Sequence, residues 1–341
     1  MDSPMGFGIV GLGMIAEYHA QAICALRQAR LVGACSRTKA KADTFCTKYG
    51  GQPYDNFDDF LTNKELQVVC VTTPAGNHLE TALKAMRKGK HVIIEKPLEV
   101  TTARCDELIR TAKECHVVLA GIFQTRFNDG PLLMKKAIEQ GRFGKLTLCD
   151  AQVKWHRSQE YYDETPWHAR SGGGALMNQA IHAIDLLQWF SGPVDSVSGE
   201  IATLGHEHLQ VEDTGIAALR FKNGALGIIE TTMAAYPGFP RRIEICGTKG
   251  SAILEEQDIV SWQFDEERPE DEEIRKRYEG RKEASPGSLD IDAYGREFTD
   301  VIEAITQHRE PMVSGEEARK AVAIIDAMSR SATERHPVIV D

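Results

Sequence analysis

The order of apolar and polar positions divides the chain into two textures. Over roughly the first 120 residues, short apolar runs (FGIVGLG, ARLVGACS, LQVVCVTTP, KHVIIEKP and HVVLAGIFQ) alternate with stretches such as AEYHAQAICALRQ and NHLETALKAMRKG, where apolar residues recur at helical spacing. Near-continuous apolar strands are buried on both faces, so this alternation predicts a parallel sheet covered by helices. After Arg126 a further helix, PLLMKKAIEQGRFG, leads into KLTLCDAQVKW, TGIAALRFKNGALGIIETTM and RRIEICGTKGSAILEE, which alternate like half-buried strands. Asn223-Gly224 marks the turn of a hairpin there. The expected fold class is therefore α/β: a parallel-sheet domain over residues 1–125, then an α/β domain over 126–341 with an open, largely antiparallel mixed sheet. The acid-dense stretch from Asp265 to Glu273 is expected to be a solvated surface loop, and GEEARKAVAIIDAMSRSA a closing helix.

Composition narrows the partners. The chain has 341 residues, 42% hydrophobic and 26% charged, which suits a folded protein of about two domains. A formal charge of −10 argues against nucleic acid or an anionic membrane. No run approaches the roughly 18 apolar residues of a spanning helix. The first strand begins at Phe7, which leaves a cleavable signal peptide no room. The eight cysteines show no C-x-x-C pair and read as reduced, mostly buried thiols in a cytoplasmic setting. His206-Glu207-His208 lacks a third ligand, so no metal is expected.

Two stretches carry chemistry. Gly11-Leu-Gly13-Met14-Ile15-Ala16 stands directly after a strand and before a helix. In that context G-x-G-x-x-A predicts a Rossmann dinucleotide site: Gly11 for the tight turn, Gly13 for close approach of the pyrophosphate, and the helix opening at Met14 and Ile15 facing the phosphates. The second strand ends in Ser36-Arg37-Thr38-Lys39 where an acid would grip a ribose 2′-hydroxyl. Two cations without a carboxylate tilt the expectation towards NADP, although Arg37 can equally stack on adenine. The other stretch is HVIIEKPLEVT, in which a buried strand ends at a lysine followed by proline.

Three segments together, GIVGLGMIAEYHA, TTPAGNHLETALKAMRKGKHVIIEKPL and GGGALMNQAIHAIDLLQWF, resemble the glucose–fructose oxidoreductase/inositol dehydrogenase (Gfo/Idh/MocA) family. The likeness runs the length of the chain and implies a Rossmann domain followed by a sheet-based α/β domain, paired through that sheet as a homodimer or homotetramer. It implies that Lys96, held in direction by Glu95 and Pro97 and commonly followed by a cis proline, hydrogen-bonds the reacting hydroxyl. Thr73, Pro74, Asn77 and His78 would line the nicotinamide ribose. Gln124 and Arg126 match positions near cofactor or substrate, Arg126 being equally readable as an interdomain salt bridge. Trp167 and Arg170 are further contacts, with an aromatic core plug the other reading of Trp167; Tyr294 is a marginal candidate.

On ALMNQAIHAIDLLQWF, Asn178, His182 and Asp185 fall at i, i+4 and i+7, one face of an α-helix. The resemblance makes His182 the acid–base group. Asn178 stands where many members carry aspartate, and an amide cannot relay a proton. Asp185 either orients the imidazole or pairs with a cation. The reaction expected is hydride transfer between NAD(P) and a hydroxyl or ketone of a sugar, inositol or sugar nucleotide, with Lys96 and His182 meeting on one hydroxyl. The alternatives are glycoside cleavage by transient oxidation with a retained NAD(P), and a non-catalytic dinucleotide sensor.

Overall fold

The computed structural model describes residues 3–170, 172–279 and 290–341. The chain forms two compact units: residues 1–124 with 290–319, and residues 125–289 with 320–341. A contiguous second domain from 126 onwards thus differs from what forms, because residues 290–319 return to the first unit.

In the first unit, β1 (Met5–Val10), α1 (Met14–Ala25), β2 (Ala29–Cys35), α2 (Lys39–Tyr49), β3 (Gln52–Tyr54), α3 (Phe57–Leu61), β4 (Val68–Val71), α4 (His78–Arg87), β5 (His91–Ile94), α5 (Thr102–Glu114) and β6 (Leu119–Gly121) follow in order. Among the described residues the strands form a six-stranded sheet ordered β3-β2-β1-β4-β5-β6, every pair parallel. Phe7, Ile9, Val68, Val69, Val71, Val92, Ile93 and Ile94 have no solvent exposure. This is why the strands read as unbroken apolar runs: both faces of the sheet are covered. The strand order reverses between β1 and β4, the place where open α/β sheets bind ligands at their carboxyl edge.

The second unit contains α6 (Asp129–Glu139), β7 (Leu146–Lys154), α7 (Gln159–Asp163), α8 (Ile181–Ser191), β8 (Val194–Ala202), β9 (Thr214–Phe221), β10 (Leu226–Thr232), β11 (Arg242–Gly247), β12 (Gly250–Glu255), β13 (Asp258–Phe264) and α9 (Pro269–Tyr278). Helix α10 (Ile291–Gln307) belongs to the first unit; α11 (Gly315–Glu334) begins in the first and continues in the second, and β14 (Val338–Ile339) ends the chain. Among the described residues the eight-stranded sheet runs β13-β12-β11-β7-β10-β9-β8-β14. It is antiparallel except between β7 and β10. The FKNGA turn joins β9 to β10 as expected from Asn223-Gly224. Along β9 alternate residues are buried and exposed. Ala217, Leu219 and Ile229 turn inward, while Leu148, Ile216, Leu226 and Ile228 are exposed on the other face. No helix among the described residues is long and apolar enough to cross a membrane.

The acid-dense stretch is not a solvated loop throughout. It runs into α9, whose first turn carries Glu270, Asp271 and Glu272, the charge a helix N-terminus favours. Asp271 is fully buried and accepts from both Arg142 Nη groups at 2.6 Å, from Trp262 Nε1 at 2.7 Å and from Arg268 N at 2.7 Å. A sequence dense in acids hides the one that folds inward. Burial alone would raise this carboxyl, but the Arg142 pair and the other donors outweigh it and hold it at about 2. The stability it contributes, on the order of 2 kcal/mol, is present above the ordinary carboxyl value and lost as pH falls towards about 2. Asp271→Asn should destabilise the protein by roughly 3 kcal/mol, since Arg142 stays buried without its counter-charge. It should also flatten the acid limb of a denaturation–pH profile; identical limbs for both proteins would refute this account.

Candidate functional site

The first part of the site is the turn after β1. Gly11 has φ +96°, and a Cβ there would lie 2.7 Å from Thr73 N. Its amide donates to Cys35 O at 3.2 Å, Gly13 N donates to Gly11 O at 2.9 Å, and the Thr72 hydroxyl donates to Gly11 O at 2.7 Å. The loop is thus tied to β2 and to the end of β4. Gly13 differs: nothing lies within 4 Å of where its Cβ would be. It is also the N-cap of α1 and makes no side-chain capping bond, so the first amides of that helix keep their donors for a ligand. An open approach, a constrained loop and uncapped amides fit a dinucleotide pyrophosphate. Met14 is 69% exposed beside it.

At the end of β2, Ser36 Oγ accepts from Thr38 N at 3.3 Å. Lys39 Nζ is engaged by Pro53 O at 2.8 Å and lies 3.6 Å from Asp43. Both cations expected to face a 2′-phosphate, Arg37 and Lys39, are exposed, and Lys39 is the one already engaged by neighbours.

Lys96 follows β5 at the carboxyl edge of the parallel sheet, half-buried, and the Lys96–Pro97 peptide is cis. Glu95 beside it is buried. Its carboxylate is 2.8 Å from His19 Nε2, accepts from Tyr294 OH at 3.3 Å and from Lys96 N at 3.1 Å. Burial would raise the Glu95 carboxyl; the His19 bond and the charge of Lys96 outweigh it and keep it below the usual range. Burial likewise lowers the Lys96 ammonium from the usual lysine value, with Glu95 opposing. Beside the cofactor-binding role expected of it, Glu95 has an internal one: its hydrogen bonds turn its oxygens inward, where they fix the Lys96 backbone. His78 is likewise held inside. It is 1% exposed, with its ring nitrogens 3.0 Å from Pro97 O and 2.7 Å from Thr73 O, a clamp joining the Lys96–Pro97 turn to the loop after β4. On that loop Thr73 is half-buried and Pro74 and Asn77 are exposed.

In the second unit the glycine run precedes a helix that does not begin as an α-helix. Residues Ala175–Ala180 wind as a π-helix and α8 continues from Ile181. A Cβ on Gly173 would lie 2.3 Å from His168 O, and one on Gly174 would lie 2.4 Å from Glu212 Oε1. Glu212 caps the turn, accepting from Leu176 N at 2.9 Å through its carboxylate and from Ala175 N at 3.0 Å through its carbonyl. Burial raises the Glu212 carboxyl. The π-turn is wider than an α-turn, so the single α-helical face expected for Asn178, His182 and Asp185 does not form. Asn178 Nδ2 donates to Tyr161 OH at 3.3 Å, whereas Asp185 turns into the core. His182 is half-buried among otherwise buried neighbours from Ile181 to Gln188.

Asp185 and Arg126 meet in an ion pair. Both are fully buried; Arg126 Nε and Nη2 donate to the two Asp185 oxygens at 2.8 and 2.6 Å, and the guanidinium lies 5.1 Å over the Trp189 ring. Of the readings open for each, the salt bridge for Arg126 and the pairing with a cation for Asp185 are what forms, and both residues belong to the second unit. Gln124 is buried with its Oε1 lacking a partner among the described residues. Trp167 is half-buried with its ring 4.2 Å from that of His168, and Arg170 is exposed. Among the described residues no cluster of metal-binding side chains forms. His206 instead lies 2.9 Å from Asp213 and 2.8 Å from Arg157 O. The residues that sequence reasoning missed are His19, Thr72, Tyr161, Gln179 and Glu212. Each acts by a hydrogen bond to a residue distant in sequence, and no periodicity reveals such a pairing.

Residues 5–123 match the family described as an oxidoreductase family with an NAD-binding Rossmann fold, and residues 132–253 match the GFO/IDH/MocA C-terminal domain. The WlbA dehydrogenase of Bordetella pertussis, whose crystal structure contains NADH and UDP-GlcNAcA, is 33% identical, with 99% of each chain covered and a TM-score of 0.89. Myo-inositol 2-dehydrogenase of Thermotoga maritima is 26% identical over 98% of both chains. D-glucoside 3-dehydrogenase of Escherichia coli is 26% identical over 74% of this chain and 78% of its own.

Gly13→Ala separates the protein's needs from the ligand's. Because the position is open and its φ of −94° is allowed for any residue, the free protein should melt at the same temperature or slightly higher. NADH affinity should fall by roughly ten-fold or more, about 1.4 kcal/mol or above. A large drop in the melting temperature, or unchanged affinity in calorimetry, would count against Gly13 as the point of pyrophosphate approach.

Proposed function

The chain belongs to the Gfo/Idh/MocA oxidoreductase family, and on that premise we propose that it moves a hydride between a nicotinamide cofactor and a ring hydroxyl of a sugar, inositol or sugar nucleotide. The observation that carries the reading is Lys96 at the carboxyl edge of the parallel sheet, its backbone fixed by the buried Glu95. When bound, the cofactor supplies the hydride acceptor, with Gly11, Gly13 and the first amides of α1 holding its pyrophosphate. His182 takes the hydroxyl proton on an imidazole nitrogen. Lys96 donates to the same oxygen as negative charge builds on it, an electrostatic role that gains strength where water is scarce. The proton passes from His182 to solvent. Asn178 carries no proton; its amide positions a hydroxyl group. The relatives with printed carbohydrate ligands or activities support the substrate class.

The finer readings follow from the same residues. Arg37, with Lys39 engaged elsewhere, supports some preference for NADP over NAD. Exposed Leu148, Ile216, Leu226 and Ile228 support pairing of two copies through the open face of the second sheet, which light scattering of the purified chain reads. Eight free thiols support a reducing compartment such as the cytoplasm.

Lys96→Met and His182→Ala should each lower kcat by about 10²–10⁴-fold on a substrate found by screening sugars, inositols and sugar nucleotides for NAD(P)H absorbance, with cofactor affinity nearly unchanged. Acting on one hydroxyl, they should lose far less together than the product of the single losses. The ammonium is the active form and its pKa is lowered, so activity should fall with rising pH below the usual lysine value, and Lys96→Met should abolish that limb. Near-wild-type kcat in either single variant would end the mechanism. For the cofactor, Arg37→Ala should shift the NADP/NAD affinity ratio towards NAD in fluorescence titrations; an unchanged ratio would remove Arg37 from the argument.

A further inference from the structure

Arg157 makes no ion pair among the described residues. It lies just after β7, half-buried, with its guanidinium carbon 5.4 Å from the ring centres of both Trp155 and Tyr161. The buried arginines differ: Arg126 faces Asp185, Arg142 faces Asp271 and Arg241 faces Glu256. An arginine partly withdrawn from water with no carboxylate partner costs free energy unless something anionic completes it.

Its surroundings are built, not incidental. Arg157 N donates to Met233 O at 2.9 Å, and the His206 ring, held by Asp213, lies 2.8 Å from Arg157 O. The backbone is therefore pinned on both sides. Nη2 donates to Gln179 Oε1 at 3.3 Å and Nη1 to His156 O at 3.4 Å; Nε is buried without a partner. These bonds are long and leave guanidinium hydrogens unused. Gln179 Nε2 in turn donates to Tyr161 OH at 2.9 Å, and Asn178 Nδ2 donates to the same oxygen at 3.3 Å. With two donors at its oxygen, the Tyr161 hydroxyl keeps its own proton, which goes to no described residue. Tyr161 itself is held by stacking on His168, 4.1 Å between ring centres and 11° between planes. Asn178 and Gln179 belong to the π-turn that leads into His182. A guanidinium with donor capacity to spare and a hydroxyl proton are thus tied to side chains of the π-turn that leads into His182.

We infer that Arg157 and Tyr161 bind an anionic oxygen group of the substrate, a carboxylate on the sugar ring or the diphosphate of a sugar nucleotide; this rests on the proposed hydride transfer at His182. Arg157 is then a specificity residue. A neutral inositol leaves its charge uncompensated, whereas an acidic sugar completes it with hydrogen bonds to a charged group, typically worth 10- to 100-fold in affinity.

The test is calorimetry on the NADH-loaded protein with UDP-GlcNAcA, UDP-GlcNAc and myo-inositol, for wild type, Arg157→Met, Arg157→Lys and Tyr161→Phe. In wild type the anionic sugars should bind more tightly than myo-inositol. Arg157→Met should lower the anionic-to-neutral affinity ratio about 10- to 100-fold, Arg157→Lys should recover part of it, and Tyr161→Phe should lose several-fold. Loss confined to UDP-GlcNAcA assigns the carboxylate; equal loss for both nucleotide sugars assigns the diphosphate. Melting temperature and NADH affinity check that each variant is folded. The inference is overturned if wild type favours myo-inositol or binds neither nucleotide sugar, or if Arg157→Met leaves the ratio unchanged. Failure of the hydride-transfer reading shows separately, as absence of NAD(P)H with every carbohydrate screened.

Discussion

A carboxylate largely withdrawn from water must be hydrogen-bonded in its charged form or give up its charge, and Glu95 is the case on which the first unit turns. Its partners come from α1 (His19), from α10 (Tyr294) and from the peptide of Lys96. Residues 290–319 return to the parallel-sheet unit, and this bond is one of the reasons they must. The His19 ring packs 5.4 Å from Tyr294 and 5.1 Å from Phe298, so the polar contact is sealed by aromatic faces. Such a network is strong only when complete. The direction of Lys96 is therefore inherited from two helices far from it in sequence, not from the flexible lysine stem.

The second unit repeats the device with other acids. Asp185 holds Arg126, Asp271 holds Arg142, Asp213 holds the turn at Leu204 and Gly205 together with His206, and Glu212 holds the start of the π-turn. Each buried acid fixes one segment of backbone or one cation. An acidic chain is usually read as a solvated surface. Here several of the carboxylates are internal fasteners instead.

What could be read from residue order follows from the range of the interactions. The parallel sheet was legible because burial on both faces leaves an apolar run that no polar residue interrupts, and the second sheet because one open face imposes period two. The G-x-G-x-x-A turn was legible because strand, glycines and helix are contiguous. Asn178 was put on one face with His182 and Asp185 for a local reason: the π-turn widens the helix over Ala175–Ala180, and the pattern of apolar residues carries no mark of it. Asp271 was lost among neighbours of the same charge. Arg126 stayed open between ligand and salt bridge because its partner lies 59 positions away. Tyr161 and Arg157 gave no signal at all, since their meaning comes from Gln179 and Trp155 standing beside them.

The π-turn also bears on how this chain can vary in length. A π-turn spans i to i+5 where an α-turn spans i to i+4, so it holds one residue more. Losing one residue between Ala175 and Ala180 would let that turn rewind as α and leave the later side chains where they stand, Asp185 on Arg126 included. An α-helix advances about 100° per residue, so the same loss inside α8 would turn every later side chain by about that angle. One-residue changes of length should therefore collect in the π-turn and in the loops on either side, and not between Ile181 and Ser191.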